Sequence, residues 1–280
     1  MSAVILNGRD LANELKEKMK TRVEALKARG ITPGLAVVLV GDNPASQIYV
    51  RMKKKDCASV GIESYEYLRD KTVSEDEILE LIDKLNADDR VHGILVQLPL
   101  PDHIDELKVL ERINPEKDAD GFNPLNVGRL VAGVDSMIPC TPAGCMELIK
   151  LSGIEIKGKN CVVVGRSNIV GKPVSILLLR EHGTVTICHS RTKDLGAVTR
   201  EADILVAAVG KVNLITADMV KPGAVVIDVG MNRLEGKKVV GDVDFEGVSE
   251  VAGYITPVPR GVGPMTRAML LENTLKAAEK

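Results

Sequence analysis

The chain has 280 residues and a formal net charge of −2, with acidic and basic residues interspersed. This length allows one large domain or two modest ones, and the balanced charge creates no field that would attract nucleic acid or a membrane surface. Aromatic residues make up 2% of the chain and tryptophan is absent, which argues against a base-stacking surface. No apolar run approaches the roughly 18–20 residues that cross a bilayer, and the N terminus lacks signal or transit character.

The cysteines indicate a reducing environment. The chain has five of them, an odd number without C-x-x-C spacing, and three lie in apolar runs or among small residues. This pattern predicts buried thiols rather than a disulfide framework. We therefore expect a cytoplasmic protein, and no residue set in the chain predicts a metal site.

Short apolar runs alternate with longer amphipathic stretches along the chain. The predicted strands are Leu35–Val40, Glu63–Leu68, Val91–Gln97, Cys161–Val164, Thr184–Cys188, Ile204–Ala208 and Val225–Val229. The predicted helices lie near Ala12–Ala28, Ser46–Ser59, Glu75–Asn86, Ile104–Ile113, Ala143–Leu151, Val174–Glu181 and Met265–Ala278. This alternation is typical of an α/β fold in which helices cover a parallel sheet, and ligands of such folds bind beyond the carboxyl ends of the strands. A loop-rich stretch between Asn114 and Pro142 breaks the alternation and predicts a boundary between two α/β domains.

The stretch 160–173, with the sequence NCVVVGRSNIVGKP, is the most informative motif in the chain. A β-branched apolar run ends at Gly165, a compact turn follows, and Gly171 opens a helical segment. N–H groups at a helix start lack intrahelical partners and the helix dipole adds positive potential, so the motif predicts a phosphate site. Arg166 stands where a G-x-G-x-x-G turn has a small residue, which places a fixed positive charge in the loop.

The residues after the next strand favour NADP over NAD. An NAD site usually places Asp or Glu roughly 20 residues beyond the glycine turn, to bind the ribose hydroxyls. This chain has His-Ser-Arg-Thr-Lys at 189–193, and Ser190 together with Arg166 suits a 2′-phosphate. The alternatives are a solvated loop with ordinary surface charges, another nucleotide cofactor or a methyl donor.

Tyr49 and Lys53 lie four residues apart on a predicted helix and share one face. Such a pair can catalyse proton transfer, because a desolvated lysine loses its preference for the charged form and a phenol can orient the reacting group. The alternative is a solvated basic face, since Lys53 lies in the run Arg51–Lys55. Short-chain dehydrogenases also use Tyr-x-x-x-Lys, but there the pair follows the dinucleotide turn, whereas here it precedes it.

Further polar residues follow predicted strands and turns. Gln97 ends a buried strand and is followed by the proline-containing segment Leu98–Pro101, so its amide lies where active-site groups collect, unless it only caps the sheet edge. Asp120 lies on a tight turn, where it is either a turn residue or a functional carboxylate. The Gly/Pro-rich segment Tyr254–Thr266 resembles a preformed ligand wall more than a linker.

Taken together, these segments resemble the bifunctional methylenetetrahydrofolate dehydrogenase/methenyltetrahydrofolate cyclohydrolase family. The segments that carry the resemblance occur in family order and are Tyr49–Lys55, Gln97–Pro101, Asp118–Phe122, Pro139–Pro142, Gly165–Pro173 and Pro257–Thr266. The resemblance implies two α/β domains flanking a cleft. Residues 1–140 and the C-terminal helix 264–280 would form the folate-binding catalytic domain, and residues 141–263 a Rossmann-like NADP-binding domain. It also implies a homodimer that acts on tetrahydrofolate derivatives in the one-carbon metabolism that feeds purine biosynthesis.

The resemblance implies a role for each motif residue. Lys53 would transfer the proton in the hydrolytic step, Gln97 would hydrogen-bond Lys53, Tyr49 would orient the folate, and Asp120 would hold the pterin. The remaining implied folate contacts are Leu98, Pro99, Pro259, Arg260 and Gly261. The implied NADP contacts are Gly165, Arg166, Ser167, Ser190 and, at the nicotinamide end, Met231.

Arg260 departs from the family pattern, which has glycine at this place in Pro-Val-Pro-Gly-Gly-Val-Gly. If the position requires a positive φ, arginine costs about 1 kcal/mol in strain. We expect Arg260 to modulate folate affinity, for example by pairing with a glutamate tail. Two alternatives stay open: a monofunctional dehydrogenase with impaired cyclohydrolase, and a catalytically idle NADP-binding protein.

Overall fold

The structure is a computed structural model that describes residues 2–234 and 239–280. Its helices are α1 (Gly8–Ala28), α2 (Pro44–Val60), α3 (Glu75–Ala87), α4 (Glu106–Arg112), α5 (Pro124–Ala132), α6 (Cys140–Leu151), α7 (Gly171–Arg180), α8 (Leu195–Thr199), α9 (Phe245–Ser249) and α10 (Val262–Ala278). Its strands are β1 (Val4–Ile5), β2 (Gly34–Val40), β3 (Glu63–Arg69), β4 (Gly93–Val96), β5 (Asn160–Val164), β6 (Thr184–Cys188), β7 (Ile204–Ala207), β8 (Val225–Asp228), β9 (Asn232–Arg233), β10 (Val239–Val240) and β11 (Tyr254–Ile255). Among the described residues, no helix is long and apolar enough to cross a bilayer.

Every predicted strand and helix is present; β6 has the predicted ends, and the other elements have ends that are shifted. The largest extension is at α1, which begins at Gly8 rather than Ala12. β4 is shorter than predicted and ends at Val96, so Gln97 follows the strand instead of ending it. These differences leave the predicted α/β order unchanged.

The prediction of a loop-rich stretch between Asn114 and Pro142 was wrong in part, because α5 lies within it. The side chain of Asn123 caps this helix by accepting a hydrogen bond from the Leu125 N–H at 2.8 Å, and Pro124 occupies its first turn. Pro at the start of a helix has a favourable φ and lacks only an N–H that would have no partner there. The helix has only nine residues, so its periodic signal was too short to detect.

The chain divides into two compact units. Unit A comprises Asn13–Cys140 and Arg267–Lys280. It contains a three-stranded parallel sheet in the order β3-β2-β4. The central strand β2 reads Gly-Leu-Ala-Val-Val-Leu-Val and is buried along its whole length, as expected for a parallel strand covered on both faces. Its core includes residues of α3 and β4, such as Ile78, Ile82 and Ile94.

Unit B comprises the residues up to Ala12 and Thr141–Thr266. It contains a parallel sheet in the order β1-β11-β8-β7-β5-β6. The chain leaves β5 for β6 on one side and then crosses to β7 on the other side. The carboxyl ends of β5 and β7 therefore flank the topological switch point, where open α/β sheets bind their ligands.

The structure differs from the expected domain limits at the N terminus. β1 pairs in parallel with β11, with Val4 opposite Tyr254, and the Leu6 N–H donates to the Ile255 carbonyl at 2.8 Å. These backbone bonds place the first residues in unit B, although we expected residues 1–140 to form one domain. A two-residue strand has no periodicity, so no pattern of residues predicts this pairing.

Candidate active site

Tyr49 and Lys53 lie one turn apart on α2, as the sequence predicted. The helix start is fixed by Asn43, whose Oδ1 accepts a hydrogen bond from the Ser46 N–H at 3.2 Å. Both Tyr49 and Lys53 are half-buried, whereas the neighbouring Lys54 and Lys55 are exposed. The basic run Arg51–Lys55 is thus only partly a solvated face, because the side chain of Lys53 is half-buried and contacts another part of the protein.

Lys53 contacts the residue that follows β4. Its Nζ donates a hydrogen bond to Gln97 Oε1 at 3.0 Å, and Gln97 Nε2 donates to the Leu98 carbonyl at 2.8 Å. The second bond fixes the orientation of the amide, so its oxygen faces the lysine. Gln97 therefore does more than cap the sheet edge. The next residues, Leu98 and Pro99, continue from the same carboxyl end of β4, joined by a cis peptide bond.

A buried carboxylate that sequence reasoning did not single out builds the turn carrying Asp120. Asp118 is 1% exposed, and its oxygens accept hydrogen bonds from the backbone N–H groups of Gly121, Phe122 and Asn123 and from Asn126 Nδ2, at 2.8–3.2 Å. An Asp that precedes Gly by three residues is a known turn signal and could have identified it. Asp118 thus positions Asp120 through the backbone.

Asp120 is a carboxylate without a strong partner. Burial raises its pKa from the usual value to about 6; the positive charge of Lys53 opposes this shift and the negative charge of Asp118 adds to it. In the part of the chain that the structure describes, no side chain donates a hydrogen bond to its carboxylate. An ionised carboxylate only accepts hydrogen bonds, so Asp120 is suited to a ligand edge that presents several N–H groups.

The thiol next to Asp120 is inert. The Cys140 N–H donates to the Asp120 carbonyl at 3.3 Å, and Cys140 Sγ donates to the Ala119 carbonyl at 3.2 Å. Burial raises the pKa of this thiol well above its usual value, which suppresses the reactive thiolate. All five cysteines are buried and free, which confirms the prediction of buried thiols.

Pro259, Arg260 and Gly261 lie in unit B, whereas Tyr49, Lys53, Gln97, Leu98, Pro99 and Asp120 lie in unit A. Arg260 has a φ of 92°, in the region that favours glycine, and the Arg9 N–H donates to its carbonyl at 3.0 Å. The position therefore has the positive φ that we considered from the sequence, and the backbone of Arg260 is strained. Its side chain is exposed.

Replacing Arg260 with Gly is expected to raise the free energy of unfolding by about 0.5–1 kcal/mol, because relief of strain exceeds the extra freedom of the unfolded chain. Urea unfolding measures this change. If the arginine also pairs with a glutamate tail, KM for polyglutamylated folates rises in Arg260→Gly but not in Arg260→Lys. Unchanged KM values for mono- and polyglutamylated folates in Arg260→Gly would contradict a role in folate affinity.

The turn after β5 needs glycine at its first position. Gly165 has a φ of 130°, and a Cβ built on it would lie 2.2 Å from the Ala208 carbonyl oxygen. The sequence predicted that N–H groups at the start of α7 are available to a phosphate. Two of these N–H groups already donate to Ser167 Oγ, that of Val170 at 3.1 Å and that of Gly171 at 3.3 Å. Within the described residues, the backbone N–H groups of residues 166–169 donate to no protein atom. The donors available to a phosphate are thus those of the turn itself, not those of the first helical turn as the sequence suggested.

Four of the predicted cofactor residues line one cavity of about 430 Å³ in unit B. Its lining includes the following residues: Gly165, Arg166, Ser167, His189, Ser190, Thr192, Val209 and Lys211. No described lining residue carries a carboxylate, and three carry basic side chains, so the cavity suits a phosphorylated nucleotide. Sequence reasoning did not assign Val209 or Lys211, because they follow β7 without a recognisable motif.

Met231 is not among the described residues that line this cavity. It follows β8, and its side chain is 46% exposed. Among the described residues, no group of three or more His, Cys, Asp or Glu side chains could hold a metal ion.

Comparison with known proteins gives the same picture along the whole chain. Residues 6–120 match the family model for the catalytic domain of tetrahydrofolate dehydrogenase/cyclohydrolase, and residues 139–280 match the model for its NAD(P)-binding domain. The bifunctional protein FolD of Acetivibrio thermocellus is 61% identical over 279 residues, which cover 100% of this chain and 98% of the relative.

Solved structures agree. The bifunctional dehydrogenase/cyclohydrolase FolD of Campylobacter jejuni is 53% identical, with a TM-score of 0.98 and 99% of both chains covered. The enzyme of Trypanosoma brucei, solved in complex with NADP cofactor and an inhibitor, is 40% identical with a TM-score of 0.95, over 100% of this chain and 98% of that one.

These similarities confirm the predicted α/β fold with a catalytic and a dinucleotide-binding domain. They also favour the predicted bifunctional enzyme over the monofunctional dehydrogenase, because relatives of about 60% identity over the full length carry the bifunctional name. The chain belongs to the tetrahydrofolate dehydrogenase/cyclohydrolase family.

Proposed function

We propose that the protein oxidises 5,10-methylenetetrahydrofolate with NADP⁺ and hydrolyses the methenyl product to 10-formyltetrahydrofolate. The observation that supports this most directly is the hydrogen bond from Lys53 Nζ to Gln97 Oε1 at 3.0 Å, in a site that also contains the weakly partnered carboxylate of Asp120. A basic group and an acceptor for N–H groups are what a hydrolytic step on a pterin requires.

Gly165, Arg166, Ser167 and Ser190 hold the dinucleotide. The turn of residues 166–169 offers its N–H groups to phosphate oxygens, and Arg166 with Ser190 binds the 2′-phosphate of the adenosine ribose. Bound NADP⁺ supplies the hydride acceptor for the first step. The lack of a carboxylate among the described lining residues supports NADP over NAD.

Asp120 holds the pterin by accepting hydrogen bonds from its amino and ring N–H groups. Tyr49 lies one turn before Lys53 on α2 and orients the ring, and Leu98 and Pro99 continue the wall that begins at Gln97. Within unit B, Pro259, Arg260 and Gly261 stay predicted folate contacts. Positioning of two rigid rings is the main requirement of the dehydrogenase step.

Lys53 moves the proton of the hydrolytic step. Water adds to the methenyl carbon, the bond from that carbon to N5 breaks, one proton of the water ends on N5 and the other is released. In this step the amine of Lys53 has to be unprotonated: its lone pair accepts a proton of the attacking water, and the ammonium that forms then gives this proton up. Gln97 keeps the amine oriented through the bond described above. No metal is needed for this sequence of bond changes.

A coupled assay tests the proposal. With methylenetetrahydrofolate, we expect NADP⁺ to be reduced at a higher kcat/KM than NAD⁺, and we expect the methenyl absorbance not to accumulate. Accumulation of the methenyl species limited only by its spontaneous decay would identify a monofunctional dehydrogenase. No reduction of either dinucleotide would identify an idle binding protein.

The protein also forms a homodimer in this proposal, through the open edge of β3. Among the described strands, β3 pairs only with β2, and Leu68 on this strand is 61% exposed. An antiparallel copy of β3 centred on Glu66 would place Glu63 opposite Arg69, so the ends of the strand have complementary charges. Sedimentation should show a dimer that Arg69→Glu dissociates and the added change Glu63→Arg restores. A monomeric wild-type protein would refute the dimer, and a dimeric Arg69→Glu protein would refute this edge as its interface.

The compartment is the cytoplasm in this proposal. The five buried, unpaired thiols support a reducing environment. Fractionation of cells that express the tagged full chain tests it, and recovery with the membrane fraction would contradict it.

A further inference from the structure

Two buried carboxylates of unit B have no role in the site described so far. Asp228 ends β8 and is 3% exposed, and Asp242 follows β10 and is 0% exposed. Neither accepts a described hydrogen bond from Lys or Arg. Burying a carboxylate among neutral groups is costly unless its oxygens are well hydrogen-bonded. Both aspartates accept hydrogen bonds from backbone N–H groups, which offset this cost.

Asp242 connects the loop that follows β7 to Asn232, the first residue of β9, which comes shortly after β8 along the chain. Its Oδ2 accepts hydrogen bonds from the N–H groups of Val209 at 2.7 Å and Gly210 at 2.9 Å, and its Oδ1 accepts from Asn232 Nδ2 at 3.0 Å. Two adjacent N–H groups that point at one oxygen fix the conformation of the β7 loop. One side chain therefore joins the loop after β7 to the start of β9.

Asp228 holds Asp242 in place. Its Oδ1 accepts hydrogen bonds from the N–H groups of Asp242 and Gly230, both at 2.9 Å, and its Oδ2 accepts from the Val243 N–H at 3.0 Å. A Cβ built on Gly241 would lie within van der Waals overlap of this carboxylate, so the backbone approaches it as closely as glycine allows. The two aspartates and the two loops form one hydrogen-bonded cluster.

The sheet order shows which half of a dinucleotide these loops meet. Gly165 follows β5 and Ser190 follows β6, so the ribose with its phosphate lies on the β6 side of the switch point. The other half of the dinucleotide then extends over β7 and β8, which lie on the opposite side of β5. Val209, whose N–H is held by Asp242, lines the cavity.

We propose that Asp242 is a positioning residue for hydride transfer: together with Asp228, which holds the loop after β8, it keeps the loop after β7 in the arrangement that receives the nicotinamide half of the cofactor. This inference rests on the proposed use of a nicotinamide dinucleotide. In this proposal Asp242 affects the dehydrogenase reaction and not the hydrolytic one, because the hydrolytic residues Lys53, Gln97 and Asp120 belong to unit A.

The test compares Asp242→Ala, Asp242→Asn and the control Asp244→Ala in the full chain. Asp244 is a neighbouring, half-buried aspartate whose side chain caps α9 by accepting a hydrogen bond from the Gly247 N–H, so its loss removes a carboxylate without removing an acceptor of the Val209 and Gly210 N–H groups. We expect Asp242→Ala to lower dehydrogenase kcat/KM for NADP⁺ by about 10- to 100-fold, and cyclohydrolase activity on added methenyltetrahydrofolate to stay within about twofold of the control. Asp242→Asn, which keeps one acceptor oxygen, should retain an intermediate dehydrogenase rate.

Hydrogen exchange in the ligand-free protein provides a readout independent of activity. In Asp242→Ala, the amides of Val209 and Gly210 should exchange faster than in the wild type, and in Asp244→Ala they should not. Equal loss of both activities, or unchanged exchange at these amides, would overturn the proposal. A wild-type protein that reduces no dinucleotide refutes the proposed function instead, and the exchange experiment still decides whether Asp242 holds the loop.

Discussion

Replacing Lys53 with Met is expected to lower the cyclohydrolase rate by about 10²- to 10⁴-fold, the usual contribution of a positioned proton-transfer group, and to lower the dehydrogenase rate by less than about 10-fold. Methionine has a similar length, so it keeps the packing of α2 and removes only the amine. Hydride transfer needs no proton from Lys53, whereas addition of water does. Stopped-flow measurement of methenyltetrahydrofolate decay, together with initial rates of NADP⁺ reduction, separates the two steps.

The matched control is Lys54→Met on the same helix. Lys54 is exposed and pairs with Glu66 at 3.2 Å, so Lys54→Met makes the same substitution on the same helix without removing the hydrogen bond to Gln97. It should change both rates by less than about twofold, as is usual for an exposed ion pair. Equal loss of both activities in Lys53→Met would mean that Lys53 binds the folate and does not transfer a proton.

Replacing Asp120 with Asn is expected to weaken folate binding by about 10- to 100-fold, because hydrogen bonds to a charged acceptor are lost, and yet to stabilise the free protein. The folded-state pKa of Asp120 is about 6, above its usual 3.8, so the folded protein binds this proton more tightly than the unfolded chain does. The free energy of unfolding therefore falls as the pH rises from about 4 to about 6, and the ionised carboxylate stays destabilising above that range.

At pH 8 the substitution should raise the free energy of unfolding by about 1–3 kcal/mol, and at pH 4 it should have little effect. Urea unfolding at the two pH values measures this difference. In the wild type, folate affinity should fall as the pH drops through about 6, because a protonated Asp120 accepts fewer hydrogen bonds. A pH-independent affinity between pH 5 and 8 would exclude Asp120 as the pterin ligand.

Asp118→Asn is the comparison that distinguishes a carboxylate that binds the ligand from one that builds the turn. Its oxygens already accept hydrogen bonds from four N–H donors, so an amide nitrogen would face a donor and destabilise the turn by about 1–3 kcal/mol. The neighbouring aspartates should thus change stability in opposite directions. A loss of stability in both variants would show that Asp120, too, serves mainly to build the turn.

The long periodic segments of the fold could be predicted because their pattern is local. β2 is apolar along its length, and α3 begins with a Ser74–Glu77 capping box and has a regular apolar face, so both lie where the sequence placed them. β1 and β11 could not be predicted, since a two-residue strand is defined only by its partner. α5 was missed because Asn123 and Pro124 are equally good signals for a turn.

In the candidate site, too, some features could be predicted from the sequence and others could not. The sequence by itself determined the family, the α/β order, the Tyr49–Lys53 spacing on α2 and the conformational problem at Arg260, because each is a matter of residue type and local spacing. The family resemblance already implied a hydrogen bond between Gln97 and Lys53, and the tertiary structure shows that Gln97 Oε1 is its acceptor. Only the tertiary structure decided that Asp118 builds the turn of Asp120 and that Asp242 holds the loop after β7. These contacts join residues 44, 5 and 33 positions apart, and the two longer ones exist only because folding brings α2 to the end of β4 and Asp242 to the loop after β7. Burial then raises the pKa of a carboxyl group such as that of Asp120, and no local pattern of residues predicts that a single carboxylate is buried.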